Sequence, residues 1–257
     1  MRAGLICVDV DGTLTTGVGG RALPGAADAL AALRRQAPVL LVTNTTSRAH
    51  RLLADHLTSE GVLDEPARLV TPAAVARRVL PRRGHDAGLL LVEPGAREDY
   101  TWFREAASGP AVLIGTEAHD RTLEDLQPAF RAVLEGAALY TLQRNRYFRR
   151  GEELVTDLGP VAAFLGYAAG REAETLGKPS RLLFEALASE AGVPLERVVM
   201  VGDDAEFDAS GAVALGMRGV LVRTGKYRPG AEAGPEPPPT AVLDSIRDLP
   251  RWLAGPT

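Results

Sequence analysis

The stretch LICVDVDGTLTTG, residues 5–17, decides how the rest of the chain is read. Its first four residues are apolar, as expected of a short strand buried on both faces. The run ends at Asp9, with Asp11 two residues on and Gly12 directly after it. Two carboxylates this close repel each other, and burial raises the penalty unless something compensates. In extended chain, residues two apart project to the same side, so Asp9 and Asp11 face one place. Gly12 lets the chain turn away tightly. A structural protein gains little from such a pair; a metal-dependent enzyme needs it.

Outward from this stretch, short apolar runs alternate with amphipathic segments. Strands are expected at 38–44, 67–71, 87–94, 110–116, 137–143, 196–204, 218–225 and 241–244. Helices are expected at 24–36, 47–61, 72–80 (stopping at Pro81), 97–107, 122–136, 161–170, 180–192, 207–216 and 245–253. The segment RNRYFRRG, 144–151, reads as part of a hairpin with exposed arginines. The order βαβα predicts an α/β protein with parallel sheets covered by helices. There are too many units for one small sheet, so two α/β bodies are expected, with no flexible linker to mark a boundary.

Bulk properties narrow the function. A chain of 257 residues, 46% hydrophobic and 24% charged, can bury a sizeable core. A net charge of -4 offers no basic footprint, so no nucleic-acid partner is expected. Cys7 is the sole cysteine, which excludes an internal disulfide and a cysteine-rich zinc site. His50, His56, His85 and His119 form no metal motif. No apolar run is long enough for a membrane span. Asp9 comes too early for a signal-peptide core, so a cytoplasmic location is expected.

In open α/β sheets, ligands bind beyond the carboxyl ends of the strands. Asp9 and Asp11 follow the first strand, Thr43 and Asn44 the second, and Asp203, Asp204 and Asp208 the strand VVMVG. Gly177, Lys178 and Pro179 precede a helix start, where backbone N–H groups favour anions. Each group alone also reads as a turn or a cap. Together they suit Mg²⁺ plus a phosphoryl group, because oxygen ligands select Mg²⁺ and the cation relieves the carboxylate repulsion. Asp9 can attack phosphorus, and Asp11 can protonate the leaving oxygen and later deprotonate water. Thr43 and the Asn44 backbone can donate to phosphoryl oxygens. Lys178 supplies positive charge to the nucleophile and the phosphoryl group. Asp203 can hold the metal, and Asp204 or Asp208 can orient the metal's water or Lys178.

DVDGTLT, LVTN, GKPS and GDDAEFD resemble, in order, the four motifs of the haloacid dehalogenase superfamily of aspartate-nucleophile phosphatases. The long segment between the second and third resembles the α/β cap of the type IIA branch. IGTEAHDRTLEDLQPAFRAVLEGA, RNRYFRRGEELVTDLGP and VGDDAEFDASGAVALGMRGVLVRTGKYRP are most similar to the group that includes phospholysine phosphohistidine inorganic pyrophosphate phosphatase. The resemblance implies a Rossmann-like, doubly wound core from residues 1–78 and 175–257, with an inserted α/β cap at 79–174. It implies Mg²⁺ on the Asp9 and Asp203 carboxylates and the Asp11 backbone carbonyl, and a homodimer through the cap. The expected activity is Mg²⁺-dependent hydrolysis of a small phosphorylated substrate through an aspartyl phosphate. Pyrophosphate, phosphohistidine and phospholysine are the alternative substrates. A non-enzymatic phospho-aspartate receiver is the alternative class, and Asp11 argues against it. TTGVGG, 15–20, is small and glycine-rich where many relatives carry a bulky residue near the substrate.

Overall fold

The computed structural model describes residues 3–115, 121–150 and 153–255. His119 lies outside the described residues. Along the chain the strands are β1 (Leu5–Asp9), β2 (Val39–Val42), β3 (Leu69–Val70), β4 (Ala87–Leu91), β5 (Arg104–Glu105), β6 (Ala111–Ile114), β7 (Ala138–Thr141), β8 (Tyr147–Arg150), β9 (Glu153–Thr156), β10 (Glu174–Thr175), β11 (Val198–Gly202), β12 (Arg218–Val222) and β13 (Ala241–Leu243). The α-helices are α1 (Ala26–Arg34), α2 (His50–Ser59), α3 (Pro72–Val79), α4 (Gln127–Leu134), α5 (Leu158–Ala169), α6 (Arg181–Glu190), α7 (Gly211–Ala214) and α8 (Leu249–Ala254).

These elements form two compact units. The first comprises Met1–Thr43, Arg51–Val70 and Leu183–Thr257. Its six-stranded sheet has the order β13-β12-β11-β1-β2-β3, and every pairing is parallel. Apart from Asp9 at the end of β1 and Arg218 at the start of β12 its strands are apolar, as expected of a sheet covered on both faces. One core cluster joins Ile6 and Val8 of β1 to Val199 and Val201 of β11 and to Leu30 and Leu33 of α1. Leu30 and Leu33 are fully buried, which at ordinary transfer energies stabilises the unit by about 2 kcal/mol each. Helix α1 is Ala- and Leu-rich, with Asp28 in its first turn and Arg34 in its last, both favourable to the helix dipole.

The second unit comprises Asn44–His50 and Thr71–Leu182 and contains the whole of the expected cap segment. Its five-stranded parallel sheet runs β10-β7-β6-β4-β5, and β8 and β9 form the expected antiparallel hairpin.

Three local expectations are corrected. The helix expected at 97–107 is a 3₁₀ segment, Pro94–Tyr100, followed by β5. Ala96, Tyr100 and Phe103 are buried at helix-like spacing, which is why the pattern misleads. The chain must turn sharply there because Arg104 N–H donates to Asp86 O and places β5 beside β4. The helix expected from Thr122 begins only at Gln127, with Pro128 in its first turn. Ahead of it, Thr122 and Asp125 close a turn on each other's backbone. The segment 207–216 is no single α-helix. It consists of the end of a π-type turn, Ala205–Ser210, and then α7.

Candidate active site

The order of the first sheet locates the site. From β1 the chain moves outward through β2 and β3, then resumes at β11 on the other side of β1. The carboxyl ends of β1 and β11 thus flank the point where the winding reverses, the usual ligand crevice of such sheets. Register does the rest: Val8 lies opposite Val201 and Asp9 opposite Val42, so the residues after all three strands emerge at one edge.

Asp9, Asp203 and Asp208 meet there. Each offers a carboxylate oxygen, and the three lie within 4.8 Å of one another. All three are buried, with exposures of 5%, 2% and 2%. Burial first, then the charges of Asp9 and Asp208, push Asp203 up to about 8; the Lys226 N–H pulls the other way. An all-oxygen set of carboxylates suits Mg²⁺, whose charge would relieve their mutual repulsion, so the residues present fit that cation.

The neighbouring side chains are oriented. Thr13 Oγ1 donates to Asp9 Oδ2 at 2.9 Å, setting the rotation of that carboxylate. Thr43 Oγ1 donates to Asp11 Oδ2 at 3.2 Å, fixing the half-buried Asp11 carboxylate. Asp204 plays a different part from Asp208. Its Oδ1 accepts the N–H groups of Glu206 and Phe207 and caps the π-type turn. That turn swings Asp208 back to the cluster, where its Oδ2 accepts the Asp204 N–H at 3.2 Å. Widened turns of this kind recur at functional sites.

Asn44 and Lys178 lie in the second unit and are bonded to each other. The Lys178 N–H donates to Asn44 Oδ1 at 2.7 Å, and Asn44 Nδ2 donates to Lys178 O at 3.0 Å. This reciprocal pair fixes the backbone at the lysine, whose residue is 3% exposed. Asp157 caps α5 by accepting the Leu158 N–H and also accepts from Gln143 Nε2. Sequence reasoning missed Thr13, which sits inside the first motif. It also missed the turn at Thr224–Lys226, where Lys226 N–H donates to Asp203 Oδ2 at 2.6 Å. Nothing in the residue types marks that contact, because the donor is backbone.

The family model for haloacid dehalogenase-like hydrolases matches residues 6–103, and a HAD-hydrolase-like model matches residues 175–249. Phospholysine phosphohistidine inorganic pyrophosphate phosphatase of Bos taurus is 32% identical over 248 residues, covering 95% of this chain and 91% of the relative. The chain belongs to the haloacid dehalogenase-like hydrolases. By that membership it is an enzyme of the phosphoric ester hydrolase class. Haloacid dehalogenase-like hydrolase domain-containing protein 2 of Homo sapiens is 33% identical over 242 residues, covering 94% of this chain and 92% of its own. The 4-nitrophenylphosphatase of Thermotoga maritima shares the fold, with TM-score 0.82, 24% identity and 97% of each chain covered. So does glycerol phosphate phosphatase Rv1692 of Mycobacterium tuberculosis in complex with magnesium, with TM-score 0.81 and 24% identity, covering 96% of this chain and 77% of that one. The sequence-based assignment to this superfamily and to a Rossmann-like α/β fold is thereby met. Among the described residues no helix is long and apolar enough to cross a membrane.

Proposed function

We propose that this chain is a Mg²⁺-dependent phosphatase acting on a small phosphorylated substrate through an aspartyl phosphate on Asp9. The observation that carries the reading is the convergence of three buried carboxylates, with Asp11 two residues after Asp9 and bonded by Thr43. Asp9 and Asp203 would hold Mg²⁺ with the Asp11 backbone carbonyl, and Asp208 would orient them. When bound, the cation neutralises these carboxylates and withdraws charge from the phosphoryl oxygens.

The residues divide the work. An Asp9 carboxylate oxygen attacks phosphorus, and the bond from phosphorus to the leaving oxygen breaks. Asp11 gives its proton to that oxygen. Water then loses a proton to Asp11 and attacks phosphorus, and the bond to Asp9 breaks, releasing phosphate and the free carboxylate. A lysine ammonium and backbone N–H groups, of the kind Lys178 and Asn44 offer, are suited to stabilising charge on phosphoryl oxygens. The Bos taurus relative favours pyrophosphate and the phosphorus–nitrogen bonds of phosphohistidine and phospholysine as substrates to test beside phosphomonoesters.

Turnover of 4-nitrophenyl phosphate with and without Mg²⁺, in wild type and Asp9→Asn, tests the reading. Wild type turns over only with Mg²⁺, and Asp9→Asn is inactive while keeping its circular dichroism. Mg²⁺-dependent turnover by Asp9→Asn removes Asp9 as nucleophile.

A further inference from the structure

The loop after β12 carries no phosphatase motif, yet two of its residues bond to the loops on either side of the carboxylate cluster. Lys226 N–H donates to Asp203 Oδ2 at 2.6 Å. Thr224 Oγ1 donates at 2.6 Å to the carbonyl of Gly12, the residue after Asp11. Between them, Gly225 adopts φ +54, and Gly12 adopts φ +91. A Cβ built on either glycine would overlap Asp203 Oδ2. Only glycine at both positions lets two backbones close on one carboxylate.

We propose that the Thr224–Gly225–Lys226 turn holds the Asp203 carboxylate in its metal-binding orientation and so sets this protein's affinity for a divalent cation. The inference rests on the metal reading above. Asp203 is crowded by two like charges, and a carboxylate free to rotate would turn away from them. A bond from a backbone N–H resists that rotation, because a main-chain donor moves only if its turn moves. Thr224 keeps the turn in place and ties it to the loop that carries Asp9 and Asp11. The Lys226 side chain is not the working part. It is 65% exposed, and its ammonium lies 3.5 Å from Asp204 Oδ2, where its charge opposes a nearby cation.

Calorimetric titration of metal-free protein with MgCl₂ tests this, using wild type, Thr224→Val, Thr224→Ser, Gly225→Ala and Lys226→Met. Thr224→Val removes the anchor at nearly constant volume and weakens Mg²⁺ binding roughly five- to tenfold. Thr224→Ser restores binding to within about twofold, since its hydroxyl can reach the same carbonyl. Gly225→Ala weakens binding further; should it not fold, the Thr224 pair decides. Lys226→Met keeps the N–H and does not weaken binding. In turnover of 4-nitrophenyl phosphate, the Mg²⁺ concentration for half-maximal rate rises in Thr224→Val, while the rate at saturating Mg²⁺ returns close to wild type. Binding by folded Thr224→Val equal to wild type overturns the proposal, as does failure of Thr224→Ser to restore it. A loss in Lys226→Met equal to that in Thr224→Val also overturns it, by assigning the effect to the ammonium. Wild-type protein that binds no Mg²⁺ refutes the metal reading itself.

Discussion

Replacing Asp203 with asparagine separates what this site costs the fold from what it does. In the metal-free protein, burial and the charges of Asp9 and Asp208 raise Asp203 from 3.8 to about 8. The unfolded chain releases this proton near the ordinary value, so between these two pH values the folded state carries a proton that the unfolded state has lost. Stability therefore falls as pH rises through that window, is unaffected by this group below about 4, and is lowest above about 8. At about 1.4 kcal/mol per pH unit, the interval from 3.8 to neutral pH gives a ceiling of about 4 kcal/mol. Asparagine never ionises, keeps the shape, and still offers an oxygen to the Lys226 N–H. In EDTA at neutral pH, Asp203→Asn should melt above wild type by an amount on the order of 10 °C. At about pH 5 the ceiling shrinks to roughly 2 kcal/mol, and the difference should shrink with it. Adding MgCl₂ should raise the wild-type midpoint and leave the variant unmoved. Thermal melts at two pH values, with EDTA or MgCl₂, measure all of this. A variant no more stable than wild type at neutral pH, or a gap that does not change with pH, refutes the reasoning.

The same raised Asp203 makes Mg²⁺ binding compete with a proton: affinity should weaken as pH falls below about 8, and binding at neutral pH should release close to one proton. Titrations in buffers of different ionisation enthalpy read that number directly, and an affinity that does not change from about pH 6 to 8 would contradict it. Asp11→Asn should lower steady-state turnover by at least about 100-fold. It should also leave Asp9 phosphorylated, visible as the added mass of one phosphoryl group in a quenched reaction. An inactive variant with no mass gain would mean Asp11 is needed before the first bond forms.

Much of this architecture is legible in the chain because its strands are short and fully buried. Parallel strands covered on both faces need unbroken apolar runs, and LICV, VLLV and VVMV stand out for that reason. The chemistry is also local: Asp9, Thr43 and Asp203 each sit at or directly after such a run. Helical spacing is a weaker guide. Ala96 and Tyr100 of a 3₁₀ turn and Phe103 just after it satisfy that spacing, because burial alone does not choose between winding and turning. The segment 207–216 reads as one helix because its pattern does not reveal where a π-type turn ends.

The sequence alone determined an α/β protein with carboxylates, a threonine, an amide and a lysine at its strand and helix ends. It could offer Asp204 and Asp208 only as alternatives, since neighbours in sequence differ by nothing that residue type records. Tertiary structure separated them: the π-type turn returns Asp208 to the cluster and leaves Asp204 as its cap. It also brought in the turn at Thr224–Lys226, which lies over two hundred residues from Gly12 and touches Asp203 through a backbone N–H. Every residue but proline carries that donor, so only the path of the chain decides which one meets the carboxylate.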